Sequence, residues 1–424
     1  MYYLRRIFFL IFMVKLFQNP VSAKPAISLN GYYKNFSVVL KPLGADGLSS
    51  SILNYPAMGL VNNRLRLNLF CDVNTRLAVN IAYDISPRIQ DQALFNQDIF
   101  MSGIDPFKYR GEDLEARFYP AEGENIRTFG IFQNLDRAMV TVKVNFADFY
   151  IGRQAIAWGS ARVINPTDII APFSFEELDT EDRVGVDAVR MRIPLGFMGE
   201  FDLGYIFGED FKFKRSAIYL RSKFYVAKTD VALILLGFRQ NLLAGLNMAR
   251  AIGGAGCWFE SAIVLSDAFN EFELNQSENY VRTTIGLDYS FSGKSYGFIE
   301  YHFSSAGSSQ PKRYLNIFNQ SAVSEGSVYL MGRHYLIPGF TYQMTPLITL
   351  LGQALFNIGD QSLFIAPQVE YNIAENIYIS GGAFISIGQQ PEFTILNGTL
   401  PTLAFHSEFG GYPDIYFTSF RIYY

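Results

Sequence analysis

The most constraining feature of this sequence is a two-residue period of apolar side chains that recurs in many segments. Between residues 280 and 291, one set of alternate positions is apolar apart from one threonine: Val281, Thr283, Ile285, Leu287, Tyr289 and Phe291. The other set is polar or small: Arg282, Thr284, Gly286, Asp288 and Ser290. Successive side chains of a strand point to opposite faces of a sheet, so each such segment predicts a β-strand with one apolar and one polar face.

The same alternation occurs in residues 62–71, 74–84 and 136–146. Followed along the chain, it predicts about 18 strands, with 16 as the alternative count, near residues 28–40, 61–71, 74–84, 136–146, 148–155, 185–194, 199–208, 215–224, 229–238, 242–250, 255–265, 279–291, 295–304, 329–343, 347–357, 362–372, 376–387 and 412–424. Short turns mostly alternate with longer connections at residues 41–60, 85–135, 156–184, 265–278, 305–328 and 388–411. Short turns at one rim and long loops at the other are typical of bacterial outer-membrane barrels.

Composition separates a membrane barrel from its alternatives. Hydrophobic residues make up 49% of the chain and charged residues only 17%, against about 25% charged in an average soluble protein. Beyond residue 23 no apolar run approaches the about 20 residues that a membrane-spanning helix needs. A soluble β-sandwich is the alternative, but it would carry more surface charge and fewer outward aromatic side chains. The net charge of −4 argues against a nucleic-acid partner.

Closure follows from the chemistry of the backbone. A strand in hydrocarbon cannot leave its N–H and C=O groups unpaired, so the sheet must close on itself. About 16 to 18 strands enclose an aqueous lumen, whereas about 8 would be filled by side chains. The predicted fold is therefore an all-β, transmembrane antiparallel β-barrel in the bacterial outer membrane.

The first residues predict a cleaved signal peptide. Arg5 and Arg6 precede an apolar stretch at residues 7–14, and small residues at 21–23 supply a cleavage site. Lys15 interrupts the apolar stretch, which is too short to span a bilayer. We expect a signal peptide at residues 1–23 and one barrel domain with extracellular loops at residues 24–424.

The last strand predicts how the barrel is assembled. One face of this strand is apolar or aromatic apart from one threonine and ends the chain: Tyr416, Thr418, Phe420, Ile422 and Tyr424. Phe420, Ile422 and Tyr424 resemble the C-terminal signal read by the outer-membrane assembly machinery. The predicted partners are therefore outer-membrane lipid and the barrel-assembly machinery.

The predicted inward faces carry many charged side chains. Basic residues predominate on the early strands: Arg64, Arg66, Lys143, Arg190, Arg192, Arg221, Lys223 and Arg282. Acidic residues predominate on later strands: Glu260, Asp288, Glu300 and Glu370. Because strand order is angular order in a barrel, this distribution predicts a basic wall facing an acidic one, whose transverse field would filter ions. The alternative is that these are the ordinary charges of any water-filled barrel.

Residues 151–192 form the most specific motif. It contains, in order, a Gly-Arg-Gln triplet, a Trp-Gly pair, an Asn-Pro-Thr-Asp turn and a late acidic stretch. The residues of the motif are Gly152, Arg153, Gln154, Trp158, Gly159, Asn165, Pro166, Thr167, Asp168, Asp182, Arg183, Gly185, Val186, Asp187 and Arg190. This segment resembles a group of porin-like proteobacterial outer-membrane barrels, similar in appearance to alginate-export-type barrels. The resemblance implies an outer-membrane channel with no substrate attached.

Two interpretations of this segment stay open. In the first, Arg153, Arg162 and Arg183 pair with the acidic residues at 176–182 and hold the loop against the inner wall. In the second, the loop folds inward and narrows the pore, with Trp158 and Arg153 touching the solute. Arg153, Trp158, Arg183 and Asp187 are accordingly candidates for a constriction.

Catalytic and cofactor chemistry finds no support in the residues. The three histidines, His302, His334 and His406, show no legible pairing with a serine nucleophile. No phosphate-binding loop or Cys/His metal spacing occurs, and Cys71 and Cys257 do not imply a disulfide scaffold. We expect no enzyme activity, no cofactor and no metal.

The sequence thus predicts a porin-like channel for the passive or selective passage of small hydrophilic solutes, including anionic ones. One alternative is a barrel that exports a polysaccharide or belongs to an envelope transport machine. Another is a surface binding or adhesion barrel. A homo-oligomer is compatible with each of these functions.

Overall fold

A computed structural model describes residues 26–41, 57–92, 94, 109–121, 123–269, 278–318, 320–326, 328–394 and 402–424. The predicted signal peptide at residues 1–23 lies outside the described residues, as do large parts of the predicted loops at 41–60 and 85–135. The structure contains these strands: β1 (Ala26–Lys41), β2 (Met58–Asn74), β3 (Leu77–Gln90), β4 (Arg117–Tyr119), β5 (Phe129–Val144), β6 (Ala147–Gln154), β7 (Val186–Leu195), β8 (Gly199–Ile206), β9 (Ala217–Val226), β10 (Thr229–Phe238), β11 (Asn241–Ile252), β12 (Ala255–Leu265), β13 (Tyr280–Ser292), β14 (Ser295–Ser304), β15 (His334–Gln343), β16 (Ile348–Asn357), β17 (Leu363–Ala374), β18 (Ile377–Ile387), β19 (Glu392–Thr394), β20 (Thr402–Ala404) and β21 (Asp414–Tyr423).

Eighteen of these strands form one closed antiparallel barrel, which confirms the predicted fold and strand number. The exceptions are β4, which pairs only with β5, and the small hairpin β19–β20. Closure is made by β21, which pairs with β18 on one side and with β1 on the other. The closing ladder runs from Tyr32 opposite Tyr423 to Lys41 opposite Asp414. No wall strand is therefore left with an unpaired edge, as hydrocarbon requires.

The two faces of the wall differ as the alternation predicts. On β13, Ile285 and Leu287 are exposed on the outside, whereas Arg282 and Thr284 are buried on the inside. The last strand follows the same rule, and Tyr416 and Tyr424 lie on its outer face. Within the described ranges, no helix is long and apolar enough to cross a membrane.

The connections differ at the two rims. Tight turns join β2 to β3, β5 to β6 and the later hairpins at one rim, here called the turn rim. At the turn between β2 and β3, Oδ1 of Asn74 accepts hydrogen bonds from the backbone N–H groups of Arg76 and Leu77 at 2.8 and 3.0 Å. The sequence places this turn two residues too early, at 72–74, because β2 continues through an irregular register shift between Asp72 and Asn74.

The opposite rim, here called the loop rim, carries the longer connections. Two of them fold back over the mouth of the barrel and pack together. We call them the cap, made of residues 305–318, 320–326, 328–333 and 404–413. The cap contains two short helices that the sequence does not predict, Tyr314–Phe318 and Ser321–Ser324, and its buried core includes Tyr314, Ile317 and Phe409.

Candidate functional site

The segment between β6 and β7 enters the barrel and contacts its wall on several sides. We call residues 155–185 the inner loop. Its first anchor is Glu260 on β12, whose buried carboxylate accepts hydrogen bonds from Ser160 N at 2.8 Å and Thr167 N at 2.8 Å. Thr167 Oγ1 donates to the same carboxylate at 2.7 Å. Glu260 therefore holds two separate points of the loop.

A second carboxylate, Glu300 on β14, anchors the next part of the inner loop. It accepts hydrogen bonds from the backbone N–H groups of Arg162 and Val163, the latter at 3.1 Å, and from Trp258 Nε1 at 3.0 Å. Thr284 Oγ1 donates to Ile164 O at 2.9 Å. The loop is thus bonded to β12, β13 and β14, across the lumen from β6.

Further contacts carry the inner loop round the wall. The ring of Phe175 lies 5.1 Å from that of Phe364 on β17 and 6.0 Å from that of Phe409 in the cap. On β1, Lys34 Nζ lies 2.8 Å from Asp179 Oδ1 and 2.7 Å from Glu181 Oε2. The loop therefore contacts the wall at β12–β14, β17 and β1 before it returns to β7.

Two glycines of the sequence motif allow this path. Gly152 has φ +111, and a Cβ there would lie 2.2 Å from Ala138 O on the neighbouring strand β5. Gly159 has φ +127, and a Cβ there would lie 2.0 Å from Asn165 Oδ1. Both positions combine a left-handed backbone with a close approach, so only glycine fits without strain.

Arg153, Trp158 and Asp187 tie the ends of the inner loop. Arg153 donates to Asp187 Oδ1 at 2.8 Å and to Asp113 Oδ1 at 2.7 Å. The Trp158 ring packs 4.7 Å from Tyr219 on β9. Arg153 and Trp158 are 6% and 7% exposed. Arg153 and Trp158 thus hold the loop in place, and each has little exposed surface with which to contact a solute.

Arg183 lies deeper in the inner loop. Its guanidinium group lies 2.9 Å from Asp168 Oδ2 and 3.9 Å from the centre of the Phe173 ring. Burial raises the pKa of Asp168 to about 7, an effect that the charge of Arg183 partly offsets. The partly exposed Arg183 and the buried Asp168 thus form an ion pair inside the loop.

The basic residues of the early strands have acidic partners beside them. Arg64 pairs with Asp84 at 2.9 Å and Arg66 with Asp136 at 2.8 Å. The remaining pairs are Arg190 with Asp202, Arg192 and Arg221 with Glu200, Lys223 with Asp230 and, on later strands, Arg421 with Glu370. The expected division into a basic and an acidic wall is therefore wrong, because the acids that neutralise the basic residues lie mainly on the same or adjacent strands.

The other predicted site residues occupy different places. Arg162 pairs with Asp288 at 2.5 Å and reaches the lumen half-exposed. Arg282 is buried on β13, with Nη1 3.5 Å from Gly326 O. Lys143 is exposed beside the turn rim.

Sequence reasoning missed several residues that hold the inner loop. Lys34 is fully buried between two loop carboxylates, and Asp84 and Asp136 bond Arg66. The inward positions of Lys34 and Asp84 follow from the same two-residue alternation, so the signal was present for these two. Asp136 has the parity of the outward residues of β5 and turns inward because the pairing of β5 with β3 shifts register there, which the alternation does not predict. Asp113 lies in a long connection without periodicity, and nothing in the sequence places it beside Arg153.

Each of the three histidines has a polar neighbour in the structure. His302 Nδ1 lies 2.8 Å from Thr284 Oγ1, and His334 Nδ1 lies 2.7 Å from Tyr301 OH. His406 is near Glu392 at 3.4 Å. Across the part of the chain that the structure describes, no group of three or more His, Cys, Asp or Glu side chains is placed to hold a metal ion.

A cavity of about 450 Å³ lies between the inner loop and the wall formed by β13–β18 and β21. On the loop side it is lined by Arg162, Asp168 and Arg183, and on the wall side by polar and aromatic residues that include Gln353 and Phe417. The inner loop therefore narrows the lumen and leaves beside it a space lined by both polar and apolar side chains.

Comparison with known proteins supports this architecture. No protein-family model matches the chain, and no curated protein matches it. Among solved structures, OccK1 (OpdK) of Pseudomonas aeruginosa has a TM-score of 0.53 at 6% identity, covering 94% of this chain and 98% of that chain. OpdK with vanillate has a TM-score of 0.52 at 6% identity, with the same coverage. The outer-membrane protein OprD of the same organism has a TM-score of 0.50 at 8% identity, covering 94% and 93%. The chain thus has the porin-like fold of these structures, and a closed barrel of this size with an apolar exterior lies in the bacterial outer membrane.

Proposed function

We propose that this chain is a porin-like outer-membrane channel for the passive or selective passage of small hydrophilic solutes. The observation that carries this proposal is the 18-stranded closed barrel, whose interior keeps a cavity of about 450 Å³, lined by polar and apolar side chains, beside the inner loop. Barrels with about 8 strands are filled by side chains, whereas barrels of this size leave room for solutes. A similar structure, OpdK, was solved with vanillate, which supports a small solute as cargo.

The proposed constriction is the inner loop itself. It is held to the wall by Glu260, Glu300 and Lys34, and it presents Arg162 and Arg183 to the cavity. The resemblance of residues 151–192 to porin-like barrels fits this proposal, because the motif residues build the loop. The predicted preference for anions stays a prediction, since the basic groups that suggested it are mostly ion-paired.

The location of the barrel bears on its partners. We propose that Phe420, Ile422 and Tyr424, on the outer face of β21, form the signal for the assembly machinery. The apolar outer face of the wall would contact lipid, and a homo-oligomer within the membrane would bury part of this same surface.

The test is ion current through the purified, refolded protein in a planar lipid bilayer. We expect stepwise increases of current as single barrels insert, and no steps from a sample that was boiled in detergent. A barrel that shows the heat-dependent electrophoretic mobility of a folded protein and yet carries no current at any voltage would overturn the proposal.

A further inference from the structure

The charged groups around the cavity leave no excess of positive charge. Arg162 pairs with Asp288, and Arg183 pairs with Asp168. Arg282 on β13 lies opposite Ala262 on β12, two residues along the same inward face from Glu260. The Cα atoms of such diagonal neighbours on adjacent strands lie about 7–8 Å apart. Arg162 and Arg183 therefore each have a carboxylate within ion-pair distance, and Arg282 has one farther away. Glu177 also lines the cavity, and its carboxylate adds negative charge that disfavours an anionic solute.

The wall opposite the inner loop offers uncharged hydrogen-bonding groups. Gln353, Gln368 and Thr341 lie on the inward faces of β16, β17 and β15 and line the cavity. Each amide side chain presents both donors and acceptors, and the hydroxyl group can act as either. Such groups match a solute whose own groups also donate and accept.

Two buried donors at the same cavity have no protein partner. Arg282 Nε and Ser304 Oγ, opposite each other on β13 and β14, are without a hydrogen bond to the protein. Both residues line the cavity and are 4% and 1% exposed. Buried polar groups of this kind are normally satisfied by water or by a bound molecule, so hydroxyl groups of a solute suit them.

His302 adds an acceptor beside these donors. The single hydroxyl hydrogen of Thr284 goes to Ile164 O at 2.9 Å. Thr284 Oγ1 must therefore accept from His302 Nδ1 at 2.8 Å, which leaves Nε2 of the neutral ring as an acceptor. His302 also lines the cavity.

Aromatic rings form the rest of the wall. Phe298, Phe384 and Phe417 line the cavity, and the Phe384 and Phe417 rings lie 5.5 Å apart. Ring faces of this kind pack against apolar C–H surfaces. The cavity thus combines apolar faces with both donors and acceptors and has no excess of positive charge.

We propose that this cavity binds a neutral polyhydroxylated solute of the size of a mono- or disaccharide, an inference that rests on the proposed channel function. The C–H faces of a sugar ring match the phenylalanines, and its hydroxyl groups match the amides, Arg282, Ser304 and His302. A carboxylate would meet the negative charge of Glu177, and a purely apolar solute would leave the amides unsatisfied. The volume of about 450 Å³ lies within the about 300–1,000 Å³ of small-molecule pockets.

The experiment adds sucrose, benzoate or arginine to single barrels in a planar bilayer and measures the concentration that halves the ion current. Calorimetry of sucrose with the detergent-solubilised protein gives binding without current. We expect sucrose to block, and benzoate and arginine to block only at much higher concentrations. The double variant Gln353→Ala/Gln368→Ala should need at least about tenfold more sucrose, since it loses two uncharged hydrogen-bonding groups.

The control is Glu209→Gln, which changes an exposed residue at the loop rim that pairs with Arg215 and should leave sucrose block unchanged. Folding of each variant is checked by heat-dependent mobility. Block by benzoate or arginine at lower concentrations than sucrose would overturn the proposal, as would equal sucrose block in the double variant. Ion current without sucrose binding refutes only the saccharide, whereas sucrose binding without current refutes only the channel.

Discussion

At the scale of single residues, the motif at 151–192 encodes the path of the inner loop more than a set of solute contacts. Gly152 and Gly159 supply backbone conformations that other residues adopt with strain, and Arg153 bonds two acids at the loop ends. The loop folds inward and charged groups hold it to the wall, so each interpretation from the sequence is right in one part. The expected partners are wrong, because Arg153, Arg162 and Arg183 pair with acids outside residues 176–182. The acidic residues at 176–182 pair instead with basic residues of the wall. Sequence could locate the motif but not these contacts, since Asp113 and Lys34 lie far away along the chain.

Asp168 is the residue at which the charge of the cavity can be changed. In Asp168→Asn, Arg183 loses the carboxylate that lies 2.9 Å away, and its charge is no longer balanced. We expect the reversal potential in a salt gradient to shift towards anion selectivity. Because burial raises the pKa of Asp168 to about 7, the difference from the unmodified protein should be larger at pH 9 than at pH 5. Equal selectivity of both proteins at pH 9 would refute this role.

Glu260 is the strongest single anchor of the inner loop. In Glu260→Gln, an NH₂ group replaces one carboxylate oxygen and meets an N–H of Ser160 or Thr167. Since a hydrogen bond to a charged group contributes about 1.5–3 kcal/mol, we expect a looser loop, higher conductance and faster proteolysis within residues 155–185. As a control, Asp230→Asn removes an exposed pair with Lys223 at the turn rim, which contributes at most about 1 kcal/mol. Identical cleavage rates in the two variants would contradict the anchoring role.

At the scale of elements, strands were predictable and loop contacts were not. The alternation of apolar and polar side chains that predicts β13 lies within about a dozen consecutive residues. The strands β12 and β14 begin and end at the residues where their own alternation begins and ends. Strand edges shift where a local bond intervenes, as Asn74 shows at the turn after β2. The cap helices Tyr314–Phe318 and Ser321–Ser324 are too short for a helical period, so only their packing in the mouth of the barrel defines them.

The cap is held by a buried carboxylate. Glu408 accepts hydrogen bonds from Met331 N at 2.7 Å, Tyr335 OH at 2.5 Å and Asn357 Nδ2 at 2.7 Å. The other groups that face it are Gly332 N, Asp360, Tyr314, Tyr412 and Glu176 of the inner loop. Glu408 thus bonds the cap to β15 and β16 and lies near Glu176 of the inner loop.

These carboxylates predict that the cap loosens as the pH rises. Burial raises the pKa of Glu408 to about 7, and burial together with the charge of Glu408 raises that of Glu176 to about 8. While the cap is packed on the barrel, these two carboxyl groups keep their protons, whereas in a released cap they would lose them above about pH 4.5. The packing of the cap therefore weakens as the pH rises from about 5 to 8. For Glu408 the loss of free energy is about 3 kcal/mol. We expect protease cleavage of residues 305–333 to accelerate over this range.

The matched comparison uses Glu408→Gln and Glu209→Gln. The first removes a titrating group from the cap and should flatten most of the pH dependence of cleavage. The second changes an exposed carboxylate at the same rim and should retain it. If cleavage in Glu408→Gln depended on pH as steeply as in the unmodified protein, Glu408 would not be the group that titrates.

At the scale of the whole molecule, β21 decides whether the barrel closes. It pairs with both β1 and β18, and both of these strands run antiparallel to it, so they are parallel to each other. Removing residues 414–424 would leave β1 and β18 as parallel edge strands, which cannot form the antiparallel hydrogen bonds that each makes with β21. Each backbone group left unpaired in hydrocarbon costs several kcal/mol. We expect this truncated chain, refolded in detergent, to lack the heat-dependent mobility of a closed barrel and to carry no current.

Tyr424→Ala keeps the backbone bonds between residue 424 and Gly31, at 3.0 and 3.1 Å, so it should refold and conduct in vitro even if it assembles poorly in cells. A truncated chain that still migrated as a folded barrel would show that the sheet can close without its last strand.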